Sequence, residues 1–224
     1  MLYRDDHFVA ISKPSGMLVH RSEKSPDTVV VLQTLAAQLD KFLYPVHRLD
    51  RGTSGVLTFG LSSKDAGRLQ RSLSASSTRK EYLALTRWPQ HRFPLEPRWE
   101  SNRPLRSPGG EPKSAHSAFE VVELLGHFAL VRARITTGRY QQIRRHLNHC
   151  ARHVIGDTTH GKGRINQMFR KRFGLHRLFL HATLLELGHP VETERRVRIE
   201  DPLPDELEAV LTELRKHPDA SADQ

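Results

Sequence analysis

Residues 47–55 read His-Arg-Leu-Asp-Arg-Gly-Thr-Ser-Gly, and residues 56–61 continue as Val-Leu-Thr-Phe-Gly-Leu. The first stretch is rich in polar turn formers, and the second is a run of strand-forming apolar residues. The pattern predicts a turn that leads directly into a buried strand, with Asp50 at the lip of that strand. A carboxylate in this position could act as a nucleophile, a base or a metal ligand, or it could be an ordinary turn aspartate beside surface arginines.

Local patterns outward from this strand predict a mixture of strands and helices. The predicted strands cover residues 8–11, 55–61, 81–86, 118–125, 128–135 and 179–187, and the predicted helices cover residues 29–40, 64–75, 140–152 and 205–216. Strands outnumber helices and mostly follow one another as hairpins. The predicted fold class is therefore α+β, with a largely antiparallel mixed sheet flanked by helices and loops.

The length of 224 residues suits either one domain or a tightly joined pair of smaller ones. We expect a single domain over residues 1–218, followed by a loose tail over residues 219–224. The segment 88–115 holds six prolines and is expected to be a loop or a ragged hairpin.

Charge is the most informative feature of the composition. The chain carries a formal net charge of +10 and has a pI near 10.2. Between Glu123 and Glu186 the only acidic residue is Asp157, whereas the same stretch holds twelve Lys and Arg residues, ten of them Arg. Arginine suits forked contacts to phosphate and stacking on bases, so this basic stretch predicts a nucleic-acid partner. The alternative is a basic surface without a specific partner.

Several classes of protein are excluded by composition. No run of 18 apolar residues is present, and residues 1–14 lack the long apolar core of a signal peptide. The single cysteine, Cys150, excludes an internal disulfide and a cysteine-rich zinc site. We therefore expect a cytoplasmic protein.

A second candidate cluster lies in residues 137–146, which read Thr-Gly-Arg-Tyr-Gln-Gln-Ile-Arg-Arg-His. A Thr-Gly break before a helix is typical of a helix N-terminus that receives an anion, although a solvated basic helix face is equally compatible. His146, His149 and His153 could share one face of this helix, but no carboxylate or thiol pattern completes a metal shell, and we expect no metal. Residues 158–163 lack the spacing of a phosphate-binding loop, so a nucleoside triphosphatase is not supported.

Four segments together resemble the RluA-type pseudouridine synthases. They are residues 13–16 (Lys-Pro-Ser-Gly), 47–55, 80–82 (Lys-Glu-Tyr) and 137–146, in the order that the family has them. The Arg-Leu-Asp-x-x-Thr-Ser-Gly element is the most specific of them. The chain departs from the usual pattern at Gln141, where the family commonly has His, and it carries Tyr140 at the variable position before it.

The resemblance implies the pseudouridine synthase catalytic fold and an isomerase that needs no cofactor. Smaller segments, among them residues 15–22 and 60–63, resemble the branch of the family that modifies uridine 65 of tRNA. The implied catalytic carboxylate is Asp50, acting either as a nucleophile on the sugar or as a base in a glycal route. Tyr82 is implied as the aromatic ring that packs on the target base, and Arg144 as the residue that pairs with Asp50.

Four further residues are implied to bind the substrate. Arg48 would fill the gap that the flipped uridine leaves, because a base inside a duplex is out of reach of the enzyme. Ile143 would form an apolar wall of the pocket. Lys13 and Arg139, together with the rest of the basic stretch, would contact RNA phosphates.

Three hypotheses for the function remain open. The first is a tRNA pseudouridine synthase that acts as a monomer, needs no protein partner and does not associate with a membrane. The second keeps the chemistry but moves it to ribosomal RNA or to another tRNA position. The third is a non-catalytic RNA-binding protein, and the joint presence of Asp50, Tyr82 and Arg144 argues against it. A metal-dependent nuclease is the most distant alternative.

Overall fold

The computed structural model describes residues 1–21, 29–89 and 96–217. The strands within these residues are β1 (Tyr3–Arg4), β2 (Phe8–Lys13), β3 (Tyr44–Pro45), β4 (Ser54–Gly60), β5 (Arg79–Arg87), β6 (Arg98–Ser101), β7 (Leu105–Arg106), β8 (Pro112–Lys113), β9 (Ser117–Leu125), β10 (Phe128–Ile135), β11 (Leu180–Gly188) and β12 (Arg196–Glu200). The helices are α1 (Val31–Leu39), α2 (Ser63–Ser74), α3 (Gln142–His149), α4 (Gly163–Phe173) and α5 (Asp205–Lys216). The predicted tail, 219–224, lies outside the described residues.

The chain divides into two compact units. The first unit comprises residues 1–80 and 182–201, and the second comprises residues 81–181 and 202–224. Both units combine helices with mainly antiparallel strand pairs, which confirms the predicted α+β class. The single domain over residues 1–218 stays a prediction.

In the first unit, β2 pairs with β4 over six residues, and β1 extends the sheet beyond β2. On the other side of β4 lie β3 and the part of β11 from Ala182 onward, and β12 pairs with β11. Helix α2 begins at the predicted place because the Ser62 hydroxyl accepts the backbone N–H of Asp65, which caps the first turn. Its apolar face buries Leu69 and Leu73 against Phe8 and Val56.

In the second unit, the strand order is β5–β10–β9–β6, and every pair is antiparallel. The predicted hairpin is confirmed, since β9 and β10 pair across a tight turn at Gly126. One face of these strands packs Leu85 and Leu130 against α4 and α5. The other face packs Val131 and Ala133 against α3.

Some element boundaries differ from the sequence predictions. Helix α3 is shorter than predicted because Gln141 and Ala151, on either side of it, both adopt left-handed backbone conformations. Helix α4 and strands β6 and β12 were not predicted. Within residues 88–115, β7 and β8 form a short hairpin, in agreement with the ragged hairpin expected there.

In the part of the chain that the structure describes, no helix is long and apolar enough to cross a membrane.

Candidate functional site

The predicted catalytic residue Asp50 opens a tight turn just before β4. Its backbone carbonyl accepts the N–H of Thr53 at 3.1 Å, which closes the turn. Leu49 on one side is 5% exposed and Thr53 on the other is 2% exposed, so both flanks of the turn are held in the interior. Asp50 itself is half-buried, and Arg48 and Arg51 beside it are exposed. The turn therefore places the Asp50 carboxylate just before the N-terminal end of the buried strand β4, as the sequence predicted.

A second loop, residues 13–17, is bonded directly to this turn. The Lys13 ammonium donates to the backbone carbonyls of Pro14, Met17 and Arg51 at 2.7, 2.8 and 3.2 Å. The carbonyl of Arg51 also accepts the N–H of Gly16 at 2.8 Å. The backbone of Arg51, the residue after Asp50, is therefore held by hydrogen bonds from Lys13 and Gly16.

Lys13 is 0% exposed. The ammonium is directed at backbone carbonyls of its own loop and of the Asp50 turn, so the contacts of Lys13 support that turn. The phosphate contact expected for Lys13 stays a prediction.

Gly55 allows the strand after Asp50 to approach its neighbour closely. Its φ is 113°, and a Cβ at this position would lie 2.3 Å from the backbone oxygen of Ala182. Any side chain here would push β4 away from β11. Close packing of these two strands therefore requires glycine at position 55.

His47 contributes a role that the sequence did not reveal. Its Nε2 atom accepts the backbone N–H of Thr58 at 3.0 Å, so the imidazole substitutes for a strand partner on β4. Burial, aided by the nearby Lys80, lowers the pKa of His47 from 6.5 to about 4. The ring is therefore neutral at physiological pH, and it acts as a hydrogen-bond acceptor that supports the segment leading to Asp50.

This shift predicts acid sensitivity. Above pH 6.5 the imidazole is neutral in both the folded and the unfolded chain. Between pH 6.5 and about 4 only the unfolded chain takes up the proton, so the free energy of unfolding falls as the pH falls, by up to about 3 kcal/mol from this group. His47→Gln keeps an acceptor for Thr58 and should show a shallower loss in urea unfolding measured from pH 7.5 to 4.5. The exposed His20→Gln is the matched control, and equal slopes for His47→Gln and the parent would contradict the assignment.

In the second unit, the Gln142 side chain holds the start of α3. Its amide oxygen accepts the Thr137 hydroxyl at 2.8 Å and the backbone N–H of Arg139 at 3.0 Å. Its amide nitrogen donates to the carbonyl of His116 and the hydroxyl of Ser117 at 2.7 and 3.0 Å. Four hydrogen bonds from one side chain, 4% exposed, bind the helix to β9 and to the loop before it.

Arg144, in the first turn of α3, forms a forked ion pair with Asp157. Its Nε and Nη2 atoms donate to Oδ2 and Oδ1, both at 2.7 Å, and the two side chains are 9% and 0% exposed. Burial alone would raise the pKa of Asp157, but the hydrogen bonds from Arg144 and from backbone N–H groups outweigh it, and the net pKa is lowered. The sequence did not predict this partner, although Asp157 is the single acid of the basic stretch. The pair of Arg144 with Asp50 stays a prediction.

The other predicted site residues of this unit lie near α3 or on β5. Ile143 is 5% exposed and belongs to the apolar cluster beneath α3. Tyr82, opposite Ala133 on the neighbouring strand, is half-buried and packs against the same cluster. Arg139 is half-buried, and its Nε donates to the carbonyl of Ser114 at 2.9 Å. Tyr82, Ile143 and Arg144 are thus positioned by one helix and one strand of the same core.

The twelve basic residues of the stretch between Glu123 and Glu186 separate into two groups. Seven have bonds within the protein. Four of these pair with acids, two bond to backbone carbonyls, and the guanidinium of Arg152 stacks 4.3 and 3.8 Å from the ring centres of Trp88 and Trp99. The other five are exposed and have no acidic partner among the described residues, although the guanidinium of Arg172 lies 5.5 Å from the ring centre of Phe173. They are Lys162, Arg164, Arg170, Lys171 and Arg172. These five, at the start of α4 or on it, are named the α4 basic face.

The three histidines considered for a metal have separate environments. His146 bonds to the Ser117 hydroxyl and to the carbonyl of Arg103, and His153 bonds to the carbonyl of His160. Burial lowers the pKa of His146, His149 and His153. Within the described residues, no three metal-binding side chains come together.

Comparison with known proteins defines the class. The model of the family "RNA pseudouridylate synthase" matches residues 7–149, which include the Asp50 turn, Tyr82 and Arg144. The chain belongs to this family, and the class of enzyme that the family comprises is an isomerase.

Individual relatives extend the match over most of the chain. The chain is 36% identical over 215 residues to tRNA pseudouridine synthase C of Vibrio parahaemolyticus, which covers 88% of this chain and 87% of the relative. It is 39% identical over 210 residues to the protein of the same name from Vibrio cholerae, with 85% of each chain covered. The structure of Human RNA Pseudouridylate Synthase Domain Containing 4 superimposes with a TM-score of 0.77 at 23% identity, over 96% of this chain and 92% of that one. That likeness confirms the predicted fold.

Proposed function

We propose that this protein isomerises one uridine of tRNA to pseudouridine, that the target is uridine 65, and that Asp50 is the catalytic carboxylate. The observation that carries the proposal is the Asp50 turn, a carboxylate at a strand lip whose backbone is fixed by the buried Lys13. The choice of tRNA is supported by relatives named tRNA pseudouridine synthase C that match most of the chain. We further propose that the enzyme is cytoplasmic and acts as a monomer.

The reaction breaks the bond between C1′ and N1 of uridine, turns the base, and joins C1′ to C5. The proton on C5 is lost and N1 gains one, so atoms and electrons balance without a co-reactant. The sugar gains positive character as the C1′–N1 bond breaks, and a fixed carboxylate next to it stabilises that charge. Two chemical routes are open to Asp50. It can bond to C1′ as a nucleophile, or it can remove a proton from the sugar as a base in a glycal route.

The second unit supplies the residues proposed to hold the base. The ring of Tyr82 would stack on the uracil, since a planar aromatic with a polar tip suits a flipped base. Ile143 would close the pocket with an apolar wall. Arg144 would pair with Asp50 through charge-assisted hydrogen bonds.

The remaining residues are proposed to hold the RNA. Arg48 is exposed next to Asp50 and would occupy the space that the flipped uridine leaves. Arg139 would contact a phosphate beside the start of α3. Lys13 is proposed to act through the Asp50 turn, to which its buried ammonium donates.

The α4 basic face is the strongest candidate for phosphate contacts in the second unit. Arg164, Arg170 and Lys171 lie on the side of α4 opposite the buried Ile165 and Phe169. The side chains are exposed and close in sequence, so each can neutralise a phosphate and release a counterion.

Alanine at Arg170, Lys171 and Arg172 together should weaken tRNA binding and reduce its salt dependence. Each lost phosphate contact lowers the slope of log K against log salt by about 0.7–0.9, so the triple variant should lose about 2. The measurement is the Kd for tRNA at four salt concentrations. Turnover at saturating tRNA should be retained.

A charge-matched control is available in the first unit. Arg195, Arg196 and Arg198 are exposed and pair with nearby acids, and their replacement by alanine removes the same charge. This control should keep the salt slope of the parent. Equal slopes in both triple variants would remove α4 from the RNA interface.

The test of the function itself is position-resolved mapping of pseudouridine in total RNA from cells with and without the gene. Loss of the mark at position 65 of tRNA, restored by the parent gene, is the expected result. Loss at another tRNA or ribosomal position would keep the chemistry and correct the target. No lost position, together with retained RNA binding, would favour a binding protein.

A further inference from the structure

We propose that Asp157 is a positioning residue for the reaction, which acts by setting the orientation of the Arg144 guanidinium. The inference rests on the proposed function, in which Arg144 serves Asp50. It assigns a role to an acid that lies outside the segments by which the site was recognised in the sequence.

The two hydrogen bonds between Arg144 and Asp157 set the orientation of the guanidinium. A guanidinium bound through two parallel N–H···O bonds cannot rotate about its long axis, in contrast to one that is held by a single bond. Arg144 donates through Nε and Nη2 at 2.7 Å each, so the plane of the group and the direction of its Nη1 atom are both set by Asp157.

Asp157 is itself held independently of Arg144. Its Oδ1 atom accepts the backbone N–H groups of Thr159 and His160, both at 2.9 Å. Its carbonyl accepts the side chain of Asn166 at 2.8 Å and the N–H of Gly161 at 3.1 Å. The loop 157–161 therefore fixes the carboxylate, and the carboxylate fixes the arginine.

A structural role alone would be met by any well-placed ion pair, but this one is costly to bury. Two charges withdrawn from water gain little net stability even in good geometry, so stability by itself does not account for the pair. We attribute the pair to the alignment of Arg144. Small displacements of a catalytic group cause large losses of rate, so an active-site arginine must be held to within a fraction of an ångström.

The experiment compares Asp157→Glu with the parent by single-turnover conversion of a tRNA transcript and by the Kd for the same tRNA. Glutamate keeps the charge and the ion pair but displaces the guanidinium by one methylene. We expect the rate to fall about 100-fold while Kd changes less than about threefold. Asp157→Asn, which keeps the size but breaks the fork, should give a similar loss of rate and serves if the glutamate variant does not fold.

Two controls separate positioning from general support of the fold. Asp5 in the first unit also accepts two backbone N–H groups and side-chain donors, so Asp5→Glu is the same change in a comparable setting. It should lose stability but keep the rate. In an Arg144→Lys background, Asp157→Glu should cost less than about threefold, because the group it orients is gone.

Three outcomes would overturn the inference. A rate within threefold of the parent for Asp157→Glu would do so, and so would a full additional 100-fold loss in the Arg144→Lys background. A parent that forms no pseudouridine in any tRNA would overturn the proposed function, and the inference with it. An active parent together with an active Asp157→Glu would overturn the inference alone.

Discussion

Asp50→Asn is expected to lower the rate of pseudouridine formation by at least about 10⁴-fold, while the Kd for tRNA stays within about twofold of the parent. Asparagine has the shape of aspartate but can neither bond to C1′ nor remove a proton from the sugar. The turn should survive the change because its closing bond runs from the Thr53 N–H to the backbone carbonyl of residue 50. The measurement is single-turnover conversion of a tRNA transcript, with Kd obtained by filter binding.

The matched control is Asp40→Asn. Asp40 is exposed and ends α1 in a left-handed conformation that asparagine also adopts readily, so this change should leave the rate unaltered. Conversion by Asp50→Asn within tenfold of the parent would reject Asp50 as the catalytic carboxylate.

The second large effect is expected for Lys13→Met. Methionine fills similar space but removes the donor that the carbonyls of Pro14, Met17 and Arg51 share. The variant loses three hydrogen bonds from one buried ammonium, so the free energy of unfolding should fall by about 2–4 kcal/mol. The turn loses a tether next to Asp50, and the rate should therefore fall about 10–100-fold even in folded protein.

Urea unfolding and single-turnover rates together check this prediction. Lys64→Met, an exposed lysine on α2, is the matched control and should change neither quantity. If Lys13→Met kept its stability and rate but bound tRNA more weakly, the expectation of a phosphate contact would be supported instead.

Elements with strong local signals were predictable from sequence. The α2 start followed from the Ser62 cap, and the β9–β10 hairpin followed from alternation on both sides of Gly126. Helix α4 had a weaker signal that could have found it, namely Ile165, Met168 and Phe169 at helical spacing. Strand β6 was missed because the local pattern of residues 88–115 is dominated by prolines, whereas its partner β9 lies farther along the chain.

The turn that carries Asp50 was predictable from sequence, whereas the contacts of Lys13 were not. The motif at 47–55 singled out Asp50, and the structure indeed holds it in a turn before a buried strand. Lys13 was a different case, since a lysine in a Lys-Pro-Ser-Gly turn has the same local pattern whether its ammonium faces solvent or backbone. Burial depends on strands that pair across the chain, and a local pattern does not contain that information.

Sequence by itself therefore determined the family, the fold class, the basic character and the carboxylate to test, because each is carried by residue identity or by short-range periodicity. Tertiary structure alone decided which basic side chains have partners on other elements of the protein. It sorted the basic stretch into seven residues held by acids, backbone carbonyls or tryptophan rings and the five exposed residues of the α4 basic face. It also joined Arg144 to Asp157, thirteen residues away. The physical reason is that an ion pair or a buried donor is defined by distances in space, and only the folded chain sets them.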